Sequence, residues 1–176
     1  MAYVLGFFAA DGYITLNKRG ANFWNIQITD KKLLYQIKKV IKSEHKIGVK
    51  IGKGNNKTLY RLQVGSKEMC DDLRGLGLRE GKTKSLAVPN IPQKYFPDFV
   101  RGYFDGDGNV WVGYTHKDRL TPLLVIRVVF TSCSRMFLET IKSRLENLNI
   151  HSGVLIGGKG NYCRLAYNIH STLRLY

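Results

Sequence analysis

The chain repeats itself, and that repetition constrains its fold more than any other feature. YVLGFFAADGYI at residues 3–14 returns as FVRGYFDGDGNV at 99–110, with Gly6/Gly102, Phe8/Phe104, Asp11/Asp107 and Gly12/Gly108 identical. IQITDKKLLYQIKKVI (26–41) is paralleled by VVFTSCSRMFLETIKSRL (128–145), a strand-like run leading into an amphipathic helix. GVKIGKGNNKTLYRLQV (48–64) is paralleled by GVLIGGKGNYCRLAYNI (153–169), two strands about a Lys-Gly-Asn turn. A segment written twice is one supersecondary module used twice. The 176 residues therefore divide into a first repeat at 1–78, a linker at 79–96 carrying Pro89 and Pro92, and a second repeat at 97–176. Each repeat is expected to run helix, strand, strand, helix, strand, strand. After the strand ending near Ile169 too little sequence remains for a closing helix, so the second copy looks cut short.

Local patterns support this order. Strands are expected near 13–18, 23–29, 46–52 and 58–64, with Trp24, Ile26 and Ile28 facing one way and Asn25, Gln27 and Thr29 the other. Asp30 and Ser66 stand where helix N-caps belong. A helix at 31–43 places Leu33, Leu34, Ile37, Val40 and Ile41 on one face and lysines on the other. The expected class is α+β, with helices covering one face of each sheet and leaving a second, polar face open.

Charge narrows the partner. Twenty-eight Lys and Arg oppose thirteen Asp and Glu, a net +15 spread from Lys18 to Arg174, with a pI near 9.9. A folded surface of that sign suits a polyanion, nucleic acid above all. No apolar run is long enough to span a bilayer and no signal peptide opens the chain, so neither secretion nor membrane insertion is expected. Cys70, Cys133 and Cys163 are odd in number and widely spaced. They read as buried thiols of an intracellular, reducing compartment, and with His45, His116, His151 and His170 they form no zinc-ligand pattern. The Gly-Lys-Gly-Asn turns do not match a phosphate-binding loop and read as hairpin turns. Trp24 and Trp111 read as core or interface aromatics.

The duplicated motif carries the chemistry. On a helix, Gly6 and Ala10 share a face, as do Gly102 and Gly106. Small residues at that spacing let two backbones approach closely. If the two motif helices cross there, Asp11 and Asp107 lie side by side at their ends. Paired carboxylates repel unless a cation intervenes, and hard oxygen donors favour Mg²⁺ or a similar divalent ion. Metal ions so held suit phosphodiester hydrolysis. The bland alternative is that Asp-Gly caps a helix and turns into a strand.

LGFFAADG and RGYFDGDG resemble the two signature motifs of the LAGLIDADG homing endonucleases in their monomeric, two-repeat form, and the resemblance spans essentially the whole chain. It implies an αββαββα fold in each half, motif helices at a pseudo-two-fold interface and an antiparallel β-saddle lying along double-stranded DNA. It also implies that Asp11 and Asp107, the last acids of the motifs, bind the catalytic metal: Mg²⁺, or Mn²⁺, with Ca²⁺ in a non-cleaving complex. Ala9 stands where many members carry another acid, and Asp105 retains one. The resemblance further implies a basic residue near the scissile phosphate, which Lys82 fits better than Lys84. Asp30 and Ser132 occupy the place after the second strand where members often have Gln, a departure that bears on how water is organised.

On the saddle, strand alternation nominates Thr15, Asn17, Arg19, Asn25, Gln27, Arg61 and Gln63 in the first half and Arg127, Thr131 and Arg164 in the second as contacts to base edges. Lys18, Lys53, Lys57, Lys117 and Lys159 fall at loop tips and suit phosphates. The expectation is a site-specific, metal-dependent double-strand DNA endonuclease with a long asymmetric target. The alternative is a cleavage-deficient binder on the same scaffold, an intron-RNA maturase or a DNA-binding regulator.

Overall fold

Each half of the chain builds the same sequence of elements. In the first, α1 (Ala2–Asp11), β1 (Gly12–Leu16), β2 (Asn22–Ile28), α2 (Lys31–Val40), β3 (Ile47–Lys50), β4 (Leu59–Gly65) and α3 (Lys67–Gly75) follow in order. The second repeats them as α4 (Phe96–Asp107), β5 (Gly108–Thr115), β6 (Leu123–Ser132), α5 (Arg135–Glu146), β7 (Val154–Gly157), β8 (Cys163–Tyr167) and α6 (Ile169–Leu175). A computed structural model describes residues 1–52, 54–55, 57–116, 118–158 and 160–175. Lys53, Lys117 and Lys159, expected at loop tips, lie outside the described residues, as do Asn56 and Tyr176. No helix among the described residues is long and apolar enough to cross a membrane.

Both sheets are antiparallel, in the orders β1-β2-β4-β3 and β5-β6-β8-β7. In the first, register aligns Ile14 with Trp24 and Val64, and Ile26 with Leu62; all five side chains are buried. Leu34 and Ile37 of α2 and Cys70 and Leu73 of α3 are buried with them. In the second, Phe130 pairs with Leu165 and Val128 with Tyr167 in the buried layer, with Phe137, Leu138 and Ile141 of α5. Period-two strands and period-3.6 helices thus bury one face each.

Helix starts follow the expected caps. Asp30 accepts the Leu33 N–H at 3.0 Å and Ser66 the Met69 N–H at 3.1 Å. β1 stops at Leu16, short of residue 18, because Asn17 closes a turn. Its Oδ1 accepts from Arg19 N and Ala21 N, both at 2.9 Å, and Gly20 adopts φ +81°. α2 ends at Val40, not 43, with Lys42 at φ 51°.

Three expectations are corrected. A closing helix does form: α6 starts behind Asn168, whose Oδ1 accepts the Ser171 N–H at 3.1 Å. Thr172 Oγ1 then accepts the Val128 N–H at 3.0 Å, fastening α6 to β6. Cys70 is buried, but Cys133 is exposed in the turn before α5 and Cys163 half-exposed; all three are free thiols. Trp24 is core, whereas Trp111 is 39% exposed, because β5 is an edge strand on which Val110 and Val112, facing the other way, are exposed too.

The chain gathers into two units: 1–82 with 89–106, and 83–88 with 107–176. The first therefore contains all of α1 and α4 up to Gly106. These helices meet through their glycines. A Cβ at Gly6 would lie 2.0 Å from the Phe99 carbonyl oxygen, and one at Gly102 would lie 2.0 Å from that of Tyr3. The contact is reciprocal, Gly6 on Phe99 and Gly102 on Tyr3, as a local two-fold requires. One turn on, a Cβ at Gly106 would lie 2.5 Å from Ala10 Cβ. Beside this seam the Tyr3 hydroxyl donates to Asp105 at 2.6 Å, with the Arg101 guanidinium 5.2 Å from the Tyr3 ring centre.

Gly102→Ala should therefore destabilise the protein by about 1–3 kcal/mol or more, because backbone atoms cannot yield as side chains do. Gly75→Ala, where an added methyl meets nothing within 4 Å, should be neutral or stabilising by up to about 1 kcal/mol. Urea midpoints of the two variants check the contrast.

Candidate functional site

The site begins where α1 gives way to β1. Asp11 is the last helical residue and Gly12 the first of the strand. Gly12 has φ −83° and ψ 156°, ordinary extended backbone, so no left-handed turn calls for glycine here. Space does: a Cβ on Gly12 would stand 2.0 Å from the Phe8 ring. That ring in turn stacks on Trp24, centroids 5.4 Å apart and planes 10° from parallel. The Asp-Gly pair is thus a packing device holding Asp11 at the helix end.

Lys82 completes this corner. It is only 9% exposed, donates from Nζ to the Gly12 carbonyl at 2.6 Å and lies 5.7 Å from the Phe8 ring centre. Asp11 is half-buried. Burial raises its pKa above the usual carboxylate value, and the Lys82 charge pulls it partly back. Lys84, the other basic residue of its segment, is exposed. Asp107, the matching acid of the second copy, is exposed at the end of α4.

A divalent cation fits this chemistry. Among the described residues no three His, Cys, Asp or Glu side chains gather as a ready-made cage. Mg²⁺, however, normally takes one or two carboxylates and completes its shell with water and substrate phosphates. A half-buried carboxylate whose ionisation is opposed by burial is a donor that gains from a cation. Asp30 and Ser132, standing where Gln was looked for, are engaged locally: Asp30 caps α2, and Ser132 Oγ accepts the Ser134 N–H at 3.1 Å.

The sheet's open face carries most nominated contacts. In the first unit register lines up Tyr13, Asn25 and Gln63, and sets Gln27 beside Arg61. Thr15, Arg61, Lys57, Lys18 and Arg19 are exposed; Gln27 and Gln63 are half-buried. Asn17 is exposed but its oxygen already closes the β1–β2 turn. Asn25 departs from expectation. It is 1% exposed and donates to Thr15 Oγ1 and to the Phe23 carbonyl, both at 3.1 Å, while its own buried Oδ1 has no hydrogen-bond partner among the described residues. It braces Thr15 and is not presented to a ligand.

In the second unit Arg127 and Arg164 are exposed and Thr131 is half-buried. Each arginine lies over an aromatic ring, Arg127 at 5.8 Å from Trp111 and Arg164 at 5.1 Å from Tyr162. Tyr13, Trp111 and Tyr162 were missed as candidates. Parity alone would have placed Tyr13 with Thr15, and Trp111 opposite Arg127 needed only the hairpin register.

The profile of the LAGLIDADG-like domain matches residues 1–75 and 98–175, both copies of the repeat. The chain belongs to the LAGLIDADG-like domain family. Among solved structures, the LAGLIDADG-like chain shares its fold with I-SmaMI bound to uncleaved DNA target in the presence of calcium ions (TM-score 0.61, 14% identity, 98% of this chain and 80% of that one). The I-LtrWI LAGLIDADG homing endonuclease bound to target DNA gives 0.63 and 14% over 99% and 80% of the two chains. The LAGLIDADG meganuclease I-AabMI bound to uncleaved DNA gives 0.63 and 17% over 98% and 81%. At such identities the likeness establishes the fold. Two curated relatives are a probable translation initiation factor IF-2 of Thermococcus kodakarensis (30% identical over 138 residues) and the DNA-directed RNA polymerase subunit Rpo1C of Methanocaldococcus jannaschii (29% over 156). The matches take in 74% and 85% of this LAGLIDADG-like chain but only 11% and 16% of those proteins' lengths.

The raised pKa of Asp11 carries a stability cost of known sign. A carboxyl that holds its proton more tightly when folded leaves stability intact below the unfolded pKa and erodes it as pH rises through the folded one. The cost is thus larger at neutral pH than in acid. Asp11→Asn should therefore raise Tm at neutral pH, by about 2–4 °C for each kcal/mol relieved. The gain should vanish below pH ~4, where the wild-type carboxyl is protonated. Thermal melts at the two pH values test this.

Proposed function

We propose that this chain is a divalent-cation-dependent endonuclease that cuts both strands of double-stranded DNA at a long, asymmetric target. The observation carrying the reading is Asp11, a half-buried carboxylate at the end of the motif helix, held beside Lys82 and repeated in sequence as Asp107. Asp11 and Asp107 would hold the cation, Mg²⁺ or Mn²⁺, with Ca²⁺ supporting binding without cutting. When bound, it supplies positive charge for the phosphate oxygens and lowers the pKa of an attacking water. Lys82 opposes the burial that raises the Asp11 pKa and adds positive charge where the scissile phosphate gains negative charge. Asp105, engaged with Tyr3, takes no direct part.

The two open faces would read different DNA. The first is lined by Thr15, Gln27, Arg61 and Gln63, the second by Arg127, Thr131 and Arg164 among Trp111, Val129 and Ile156. Unlike faces imply unlike half-sites, hence an asymmetric target. That this chain aligns with a small part of two proteins of unlike function is the pattern of a portable inserted unit. We take the protein to act as a monomer, each repeat contributing one sheet. The competing reading is an intron-RNA or DNA binder that no longer cuts.

Asp11→Asn and Asp107→Asn should each abolish duplex cleavage in Mg²⁺ while leaving DNA affinity in Ca²⁺ within a few-fold. Cleavage assays and gel shifts on a selected target provide the check. Full cutting by either variant would remove that aspartate from the catalytic site, and no cutting by the wild-type protein would favour the binder. On that target, Arg61→Ala should relax preference at one or two base pairs by about 1–3 kcal/mol. Lys57→Ala should weaken all sequences alike and flatten the salt dependence by about one unit of slope.

A further inference from the structure

Lys82 reaches Gly12 from a seven-residue stretch, LGLREGK at 76–82, that lies outside regular secondary structure. The stretch is held by Leu78 and by Glu80, the latter through Arg74, near the end of α3. Nη2 of Arg74 donates to Glu80 Oε1 at 2.5 Å, and Nε donates to the same oxygen at 3.1 Å. Nη1 donates to Asp71 at 2.6 Å. Nη2 also donates to Asn22 Oδ1 at 2.5 Å, across to the first residue of β2. The Leu78 side chain is fully buried and its N–H donates to the Leu73 carbonyl at 2.8 Å. Gly77 and Gly81 take φ +86° and +65°, conformations glycine adopts without strain.

Arg74 thereby joins three pieces of backbone: helix α3, strand β2 and the residue two positions before Lys82. Between Glu80 and Lys82 stands only Gly81, whose missing side chain would otherwise limit rotation. Leu78 holds the start of the stretch, and Glu80 is the anchor nearest to Lys82. Hydrogen bonding to Arg74 holds the Glu80 carboxyl below its usual pKa, so the anchor is intact at neutral pH. A guanidinium suits this job because its planar fork binds the carboxylate by two N–H groups and still spares others for Asp71 and Asn22.

We propose that Arg74 is a positioning residue for this same site: through Glu80 it holds Lys82 against Gly12, beside Asp11. The structural half concerns Lys82 alone. Its catalytic consequence rests on the nuclease reading above, and two measurements keep the halves apart.

The first needs no activity. The amine of Lys82 is shielded, so reductive methylation of the intact protein, followed by mass spectrometry, should modify it slowly relative to exposed Lys84. Arg74→Ala should speed modification of Lys82 about tenfold or more while leaving Lys84 unchanged. Glu80→Gln, which preserves shape and removes the charge partner, should act in the same direction and serves if Arg74→Ala fails to fold. Unchanged labelling of Lys82 in a folded variant overturns the proposal, whatever the protein does to DNA.

The second is a double-mutant cycle in single-turnover cleavage. Arg74→Ala should slow cutting about tenfold to a hundredfold, as misplaced catalytic groups do, with DNA affinity unchanged. Arg74→Lys, which can keep Glu80 but not span to Asn22 as well, should recover part of the rate. In a Lys82→Ala background the Arg74 change should add less than about twofold, because its route is already gone. Equal losses in both backgrounds would show that Arg74 acts by another route and overturn the proposal. If the wild-type protein does not cut at all, the nuclease reading fails, and labelling alone decides whether Arg74 positions Lys82.

Discussion

The approach of two helix backbones at Gly6 and Gly102 is the constraint on which the rest depends. At 2.0 Å from a facing carbonyl oxygen, even a methyl group is excluded on both sides. Glycine in a helix interior costs up to about 1 kcal/mol relative to alanine, a cost borne twice here. The return is contact between main chains, which brings Tyr3 within reach of Asp105 and sets Gly106 against Ala10. The same economy of space recurs at Gly12, where the Phe8 ring occupies the volume a side chain would need. From that ring the stack continues to Trp24 in β2. Helix seam, helix end and sheet core are therefore one packed assembly.

Asp11 sits at the edge of this assembly, and its position is a compromise. Burial alone would favour its protonated form; Lys82 opposes this from a side chain that is itself almost buried. A carboxylate and an ammonium ion so placed are costly in stability. Such tension is usual where binding or catalysis, not folding, sets the requirement. The Arg74 fork, anchoring a loop with two left-handed glycines, belongs to the same arrangement, since it keeps a loop-borne cation in place.

The two sheets share one topology yet offer different surfaces. The first presents amides, hydroxyls and a guanidinium, braced from below by Asn25 on Thr15. The second presents arginines lying over Trp111 and Tyr162, with aliphatic neighbours. The buried layers of both halves stay apolar but are built from different residues, Ile26 and Leu62 in one and Phe130 and Leu165 in the other. The exposed layers were free to diverge.

What the sequence by itself determined is whatever depends on neighbours along the chain. The repeated motif, the order of elements, the caps at Asp30 and Ser66 and the parity of each strand rest on local sterics and hydrogen bonds, which short stretches encode. The places of Asp11 at a helix end and of Arg61 on an exposed strand position were legible for that reason, through motif position and alternation, whereas Lys82 was nominated by the family resemblance alone. Tertiary structure decided what register and long-range packing control. Asn25 has the parity of a surface residue but is buried beside Thr15; Trp111, matching the core aromatics in type, is exposed on an edge strand. Cys133 is exposed, and α6 forms because Asn168 caps it and Thr172 ties it to a strand 44 positions away in the chain. The link from Arg74 through Glu80 to Lys82 also escapes any periodic pattern. It exists only because a loop without regular structure folds back on the helix it left, and the contacts that hold it were free to form only once that helix and strand were in place.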